Sequence, residues 1–258
     1  MYEGENPMNA WYEQSFGQDY LLIYKHRDMQ GAKNEVQKMV NWLQLQPGAE
    51  IFDLCCGMGR HSLTLADYGF HVTGMDLSEV LLHEANRLDP DGKVSWLRGD
   101  MREIPLEKSF DAVVNLFTSF GYFADEAENQ RVLHEINRLL KDEGKFIIDF
   151  LNPAYVEAHL VTYSLRQEGE IEIEENRSIE GGYVCKRIAI REQGQQERQY
   201  LEQVRLYRLA DFRQMLAATG LEIEHVYGHY DGTDYVELES PRLIILGSKR
   251  GIKANGSQ

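Results

Sequence analysis

Cysteine is nearly absent from this 258-residue sequence, which has only Cys55, Cys56 and Cys185. An odd count with two adjacent residues excludes a disulfide framework, and no Cys or His partner stands at zinc-ligand spacing, so no metal site is expected. No apolar run approaches the ~18 residues of a membrane span. The opening MYEGENPMNAWYEQ has neither the basic nor the apolar region of a secretory signal. Together these absences predict a cytoplasmic protein without membrane contact. Basic residues are also scarce, 27 against 42 acidic ones, for a formal charge of −15. Such a surface repels phosphate backbones, so nucleic acid is not an expected partner and a small basic or neutral one fits better.

There is enough apolar material for a core: 43% of residues are hydrophobic and 10% aromatic. The length suits one α/β domain carrying an insertion. The first twenty-odd residues hold Trp11, Tyr12, Phe16, Tyr20 and Tyr24 without clean periodicity. Val36, Met39, Val40 and Leu43 then fall at i, i+3, i+4 and i+7, predicting a helix that Pro47-Gly48 ends. Short apolar runs at 49–55, 70–75, 94–97, 110–117 and 145–151 read as strands. Helical patterns separate them at 60–69, 78–88 and from Asp125 to Gly144. This alternation predicts a parallel sheet with helices on both faces, and the continuously apolar strands agree with a sheet covered on both sides.

After Pro153 the pattern changes. Residues 170–174 alternate strictly between Glu and Ile, and Glu180-Gly181-Gly182-Tyr183 reads as a hairpin turn. We expect the chain to divide into an N-terminal helical lid (1–46), a Rossmann-like domain (47–153 and 208–249), an antiparallel substrate-lid insertion (154–207) and a disordered tail (250–258). The polar-faced strands of the insertion leave edges that need cover, so either a monomer or a homodimer is consistent with the sequence.

The chemistry concentrates where strands end. Asp53-Leu54-Cys55-Cys56-Gly57-Met58-Gly59-Arg60 joins a buried strand to a helix, and its glycines let a ligand approach the backbone. In an open parallel sheet ligands sit at such carboxyl ends, where the strand order reverses. The dinucleotide pattern G-x-G-x-x-G lacks its third glycine here, and Asp53 would face a pyrophosphate; a cationic ligand would welcome it. Asp76 ends the second strand, where a carboxylate can accept both hydroxyls of a ribose. Gly99-Asp100-Met101 follows the third strand, where Asp100 can take an exocyclic amine and Met101 can pack on a ring.

Five segments in this order resemble the class I S-adenosylmethionine-dependent methyltransferases: Asp53 to Gly59, Met75-Asp76-Leu77-Ser78, Gly99-Asp100-Met101, Phe110-Asp111-Ala112-Val113-Val114, and Leu139 to Lys145. The resemblance covers about residues 20–151 and 207–247, and departs from the family at Cys55, where glycine is usual. It implies a Rossmann-like seven-stranded, mostly parallel sheet with a small antiparallel β insertion, and S-adenosyl-L-methionine as cofactor. It further implies that Cys55, Gly57 and Gly59 bring the backbone to the amino-acid part of the cofactor and that Asp53 holds its ammonium. By the same resemblance Asp76 binds the ribose, Leu77 and Met101 flank adenine, Asp100 meets its amine, and Asn115 and Phe117 border the sulfonium. Tyr20 and Tyr24 would close a lid over it, with a cation–π attraction of roughly 0.5–2 kcal/mol.

The reaction so implied is methylation of a small-molecule acceptor. With no metal-ligand cluster in the sequence, an amine is favoured over a hydroxyl, and His26, His229 and Tyr235 are candidate bases. The loop from Gly228 to Ser240 should return over the cofactor side of the sheet as a second substrate element. Two rivals remain at this point: an NAD(P)-dependent oxidoreductase, and a non-catalytic binding protein that keeps the pocket.

Overall fold

The structure, a computed structural model, describes residues 11–25 and 28–251. Two short helices, α1 (Trp11–Ser15) and α2 (Gln18–Ile23), precede α3 (Met29–Leu43) and β1 (Glu50–Leu54). Helices and strands then alternate, except that β3 is followed directly by β4: α4 (Arg60–Asp67), β2 (His71–Asp76), α5 (Glu79–Leu88), β3 (Val94–Arg98), β4 (Phe110–Asn115), α6 (Glu126–Leu139) and β5 (Leu140–Leu151). Next come α7 (Pro153–His159) and the antiparallel strands β6 (Tyr163–Glu168), β7 (Ile171–Glu180), β8 (Tyr183–Glu192) and β9 (Arg198–Arg205). Helix α8 (Leu209–Ala218), β10 (Leu221–Tyr227) and β11 (Arg242–Lys249) complete the chain.

The main sheet has seven strands in the order β10-β11-β5-β4-β1-β2-β3. β5, β4, β1, β2 and β3 run parallel, and β11 is antiparallel to both its neighbours. The strand order reverses at β1, between β4 and β2. Because the sheet is covered on both faces, successive residues of one strand enter different cores. Phe52, Val113 and Phe146 pack with Ile136 and Leu139 of α6. Their neighbours Ile51, Ala112, Val114 and Ile147 pack with Val36 and Met39 of α3 and Leu63 and Leu65 of α4. Helix starts follow local chemistry: Asp28, Ser78 and Asp125 each accept a backbone N–H of the first turn.

The second sheet, β6-β7-β8-β9, is the expected insertion. Its central hairpin turns on Gly181 and Gly182, both at positive φ, with Glu180 opposite Tyr183. That is the two-residue turn whose twist matches the strands. Glu172 and Glu174 lie on the outer face, where both pair with Arg191. Ile173, one residue between them, is buried against Ile23, Ile188 and Ile190.

Several elements differ from the sequence reading, among them the short helix α7 at the start of the expected antiparallel insertion. α1 and α2 escaped it because their buried side chains do not share one stripe: Ser15 hydroxyl donates to the Leu201 carbonyl of β9, while the Phe16 carbonyl accepts from Ser78 on the main sheet side. β4 ends at Asn115 rather than Phe117, because the backbone turns left-handed at Phe117 and Thr118. β5 starts at Leu140, five residues early; Phe110 pairs with Leu140 but Ala112 with Lys145, and the residues between loop out around Glu143 at φ 59°. Arg250 is held, its amide donating to the Gly220 carbonyl and its guanidinium pairing with Glu222. Positions 252–258 of the expected tail lie outside the described residues. Among the described residues no helix is long and apolar enough to cross a membrane.

Gly247 fixes the contact between β11 and its two neighbours. A Cβ there would lie 2.2 Å from the Glu222 carbonyl oxygen and 2.5 Å from the Phe146 ring. Gly247→Ala is therefore expected to destabilise the protein by about 2–3 kcal/mol through overpacking, read as a lower urea midpoint at unchanged m-value.

Candidate active site

The site begins where β1 stops. Cys55 takes φ 63°, Gly57 φ 56° and Gly59 φ 78°, so the chain coils tightly before α4 starts. The Cys56 amide donates to the Met75 carbonyl at 2.9 Å, tying this turn to β2. The Gly57 amide donates to one carboxylate oxygen of Asp76 at 2.8 Å, and the Ser78 amide to the other at 2.9 Å. Asp76 is 8% exposed. Burial raises its pKa to about 6, although the Ser78 and Gly57 amides pull the other way. Asp53, also buried, accepts a 2.5 Å bond from the Ser62 hydroxyl, and burial raises its pKa too.

A cavity of about 340 Å³ opens over these strand ends and beneath the second sheet. Of the residues singled out from sequence, Tyr20, Tyr24, Asp53, Cys55, Gly57, Asp76, Leu77, Asp100, Met101 and Phe117 line it. Gly57 leaves its backbone open, with nothing within 4 Å of where a Cβ would stand. Gly59 has a different role from the one expected. It does not line the cavity, and its missing side chain makes room for the Trp96 indole, 2.2 Å from the position of a Cβ. Asn115 lies just below the lining, fully buried, its amide donating to the carbonyls of Leu54 and Ser119. Its side-chain oxygen is the one buried side-chain polar atom among the described residues without a hydrogen-bond partner.

Asp100 faces the cavity with its carboxylate engaged. Both oxygens accept from the Arg102 guanidinium, which also bonds Glu128 and stacks over Phe123. Burial pushes the Asp100 pKa up, but Arg102 outweighs it and holds the group below the usual carboxylate range. The Cys55 thiol lies 3.5 Å from the Met101 sulfur. Burial, followed by the charges of Asp76, Asp53 and Asp100, pushes its pKa well up, so it stays protonated and unreactive.

Two of the three proposed bases, His229 and Tyr235, stand away from the cavity. His229 is exposed beside Asp231, and Tyr235 donates its hydroxyl to the Asn152 side chain; neither lines the cavity. The reason is that the 228–240 loop folds on itself, its Gly228 amide bonding Thr233 and its Tyr235 amide bonding Val226. His26 lies outside the described residues.

Sequence reasoning missed the other wall. Val184, Lys186, Glu202 and Val204 project from the inner face of the second sheet, where Lys186 pairs across the strands with Glu202 and Val184 with Val204. The Tyr24 hydroxyl donates to the Glu202 carboxylate at 2.6 Å and accepts from Lys186 at 3.0 Å. Glu175 anchors this group, held by Lys186, Arg177 and Arg166. Burial opposes its charge, but Lys186 and Arg177 bring its pKa down to about 2. The available signal was a charged residue on an otherwise apolar strand face, as with Lys186 between Val184 and Ile188. Trp11, Phe16 and Tyr122 add an aromatic wall, their rings 5.0–5.8 Å apart.

Residues 51–144 match the family model described as a methyltransferase domain. The chain is 29% identical to a cypemycin N-terminal methyltransferase of a Streptomyces species, over 77% of this chain and 83% of that one. It is 28% identical to the dTDP-3-amino-3,6-dideoxy-alpha-D-glucopyranose N,N-dimethyltransferase of Streptomyces fradiae, over 71% and 74% of the two chains. A crystal structure of an S-adenosylmethionine-dependent methyltransferase from Clostridium acetobutylicum shares the fold at TM-score 0.77 and 19% identity, over 93% and 99% of the two chains.

The two glycines of the turn should separate by experiment. Gly59→Ala, clashing with Trp96, is expected to destabilise by about 2 kcal/mol or more. Gly57→Ala meets only the backbone penalty of about 1 kcal/mol, so its main effect should be on ligand affinity. Urea unfolding alongside calorimetric titration of each variant checks both.

Proposed function

We propose that the chain is a class I S-adenosylmethionine-dependent methyltransferase and that it methylates the nitrogen of a small-molecule amine; the match of residues 51–144 to a methyltransferase domain supports the first part. The carrying observation is the cavity between the two sheets, with buried carboxylates at the strand ends on one side and the Tyr24–Glu202 pair on the other. The relatives' names, an N-terminal methyltransferase and an amino-sugar N,N-dimethyltransferase, support nitrogen as the acceptor atom.

The residues present suit S-adenosylmethionine. Asp76 offers carboxylate lone pairs to the ribose hydroxyls, and Asp53 offers charge to the ammonium. Leu77 and Met101 supply apolar faces for adenine, with Asp100 at the edge, shared with Arg102. The open backbone at Gly57 and the unpartnered oxygen of Asn115 are the features that a bound polar ligand would complete. The cavity volume lies in the range of about 300–1,000 Å³ usual for small-molecule sites.

When bound, this cofactor supplies a methyl group on a positively charged sulfur, already activated for displacement. The chain's own work is therefore to orient, to exclude water and to manage one proton. Trp11, Phe16, Tyr20 and Tyr122 keep water out and present ring faces to positive charge. An amine reacts only when its nitrogen is neutral, so an ammonium must lose a proton first. Glu202 takes that proton in our reading, in place of His229 and Tyr235. Its carboxylate lines the cavity and is oriented by the Tyr24 hydroxyl, while Lys186 at 3.8 Å balances its charge.

Calorimetric titration with S-adenosylhomocysteine and with NADH tests the cofactor assignment; saturable binding of the first and none of the second is expected. Because the carboxylate form of Asp76 is the hydroxyl acceptor, affinity should be flat above neutral pH. It should fall as pH drops through about 6, by up to roughly tenfold per unit. Asp76→Asn should abolish that dependence. In a screen of amines against S-adenosylmethionine, Glu202→Gln should lower kcat by roughly 100-fold while S-adenosylhomocysteine affinity changes less than about threefold. Equal kcat in variant and wild type would rule Glu202 out.

A further inference from the structure

Among the described residues five non-glycine residues have left-handed backbone: Gln44, Cys55, Phe117, Thr118 and Glu143. Gln44 caps the end of α3, a position where that conformation is common. Three of the remaining four line the cavity, and two of those, Phe117 at φ 55° and Thr118 at φ 65°, are consecutive. Side chains disfavour this region, and a β-branched threonine disfavours it most, so the surrounding structure must impose it.

The imposing group is Asp149, on β5, which is fully buried and does not line the cavity. The Phe117 amide donates to one of its carboxylate oxygens at 3.0 Å, and the Thr118 amide donates to its carbonyl at 2.9 Å. The Tyr230 hydroxyl donates to the same carboxylate oxygen as Phe117, at 3.0 Å. Arg242, the first residue of β11, donates through Nε to the other oxygen at 2.8 Å and through its terminal nitrogen to the Thr118 hydroxyl at 3.0 Å. Phe117, Thr118 and Arg242 all line the cavity. They do so over β4, β5 and β11, on the opposite side of β1 from Asp76 and Asp100.

We propose that Asp149 is a positioning residue for methyl transfer: it holds the strained Phe117–Thr118 turn and Arg242 as the fixed wall against which the acceptor lies. It touches neither cofactor nor acceptor. This inference rests on the methyltransferase reading above for its kinetic part only. An isosteric amide cannot serve the three donors on the carboxylate, the Phe117 amide, the Tyr230 hydroxyl and Arg242, because one of its two positions is itself a donor. A glycine at 118 adopts the same backbone without the side-chain penalty.

The test compares wild type with Asp149→Asn, Thr118→Gly, the double variant and the milder Tyr230→Phe. Amide hydrogen exchange needs no acceptor: the Phe117 amide, which donates to the Asp149 carboxylate, should be protected in wild type and lose protection in Asp149→Asn, while the Thr118 amide, on the Asp149 backbone carbonyl, changes less and the rest of β4 is unchanged. With an amine found by the screen, Asp149→Asn should lower kcat/KM for the acceptor by roughly tenfold or more, while the S-adenosylhomocysteine dissociation constant moves less than about threefold. Adding Thr118→Gly should recover part of that loss, since the strained backbone no longer needs holding. Should Asp149→Asn fail to fold, Tyr230→Phe should show the same pattern, with a roughly threefold loss of kcat/KM. Unchanged exchange at Phe117 would overturn the proposal, as would losses that simply multiply in the double variant. A proportional fall in cofactor affinity would also overturn it. If wild type methylates no amine, the functional reading falls, and exchange alone decides whether Asp149 holds the turn.

Discussion

The hydrogen bond from the Gly57 amide to the Asp76 carboxylate joins the end of β1 to the end of β2, and the cavity is organised around it. Asp76 is buried close enough to Asp53 that each charge disfavours the other, beyond the cost of leaving water. The backbone offsets part of this with two amides on Asp76, and the Ser62 hydroxyl does so on Asp53. What is left is an acidic floor whose charge is only partly compensated. A ligand that brings hydroxyls and an ammonium would complete that compensation, so the feature that costs stability in the empty protein also supplies selectivity in binding.

Enclosure depends on a second set of contacts, made by the segment 11–25 lying between the two sheets. Ser15 bonds the Leu201 carbonyl, Asp19 holds Arg198 and the Tyr200 hydroxyl, and Arg166 bonds the Ile23 carbonyl. On the other side, Ser78 bonds the Phe16 carbonyl. Ser78 also caps α5 and donates its amide to Asp76, so one residue couples the floor of the cavity to its cover. Movement of the 11–25 segment would therefore disturb Asp76 as well as the aromatic wall.

Much of this was legible in the sequence. The parallel sheet could be read from apolar runs because both its faces are buried, and the hairpin from Gly181-Gly182 because a two-residue turn demands that backbone. The strand-end residues Asp53, Gly57, Asp76, Leu77, Asp100 and Met101 were legible from order and spacing, and all line the cavity. Gly59 was a correct glycine for a different reason, since a turn pattern does not reveal that Trp96, 37 positions later, fills the space. Lys186, Glu202 and Arg242 were not legible because their meeting depends on strand register and on the docking of one sheet over another. Net charge does not describe this wall either. The chain carries −15, yet Arg177, Lys186 and Arg242 all line the cavity, because a charge total weights the outer surface and not the interior wall.

Cys55 shows how local strain and local packing trade against each other in this site. A glycine there would take φ 63° without penalty, and the class I pattern usually has one. The cysteine instead projects a small, protonated sulfur to 3.5 Å from the Met101 sulfur. Glycine would relax the backbone but leave space between Met101 and the strand end, and an unfilled space forfeits dispersion contacts along its whole lining. A larger side chain would intrude on the cavity. Cysteine is small enough to leave the cavity open and polarizable enough to pack on a thioether, which is how a residue unsuited to its backbone can still be favoured by its neighbours. The same logic separates the two strained places: packing sustains Cys55, whereas Phe117 and Thr118 are sustained by hydrogen bonds to Asp149. The first depends on one side-chain volume, and the second depends, at Phe117, on a carboxylate that no neutral side chain reproduces.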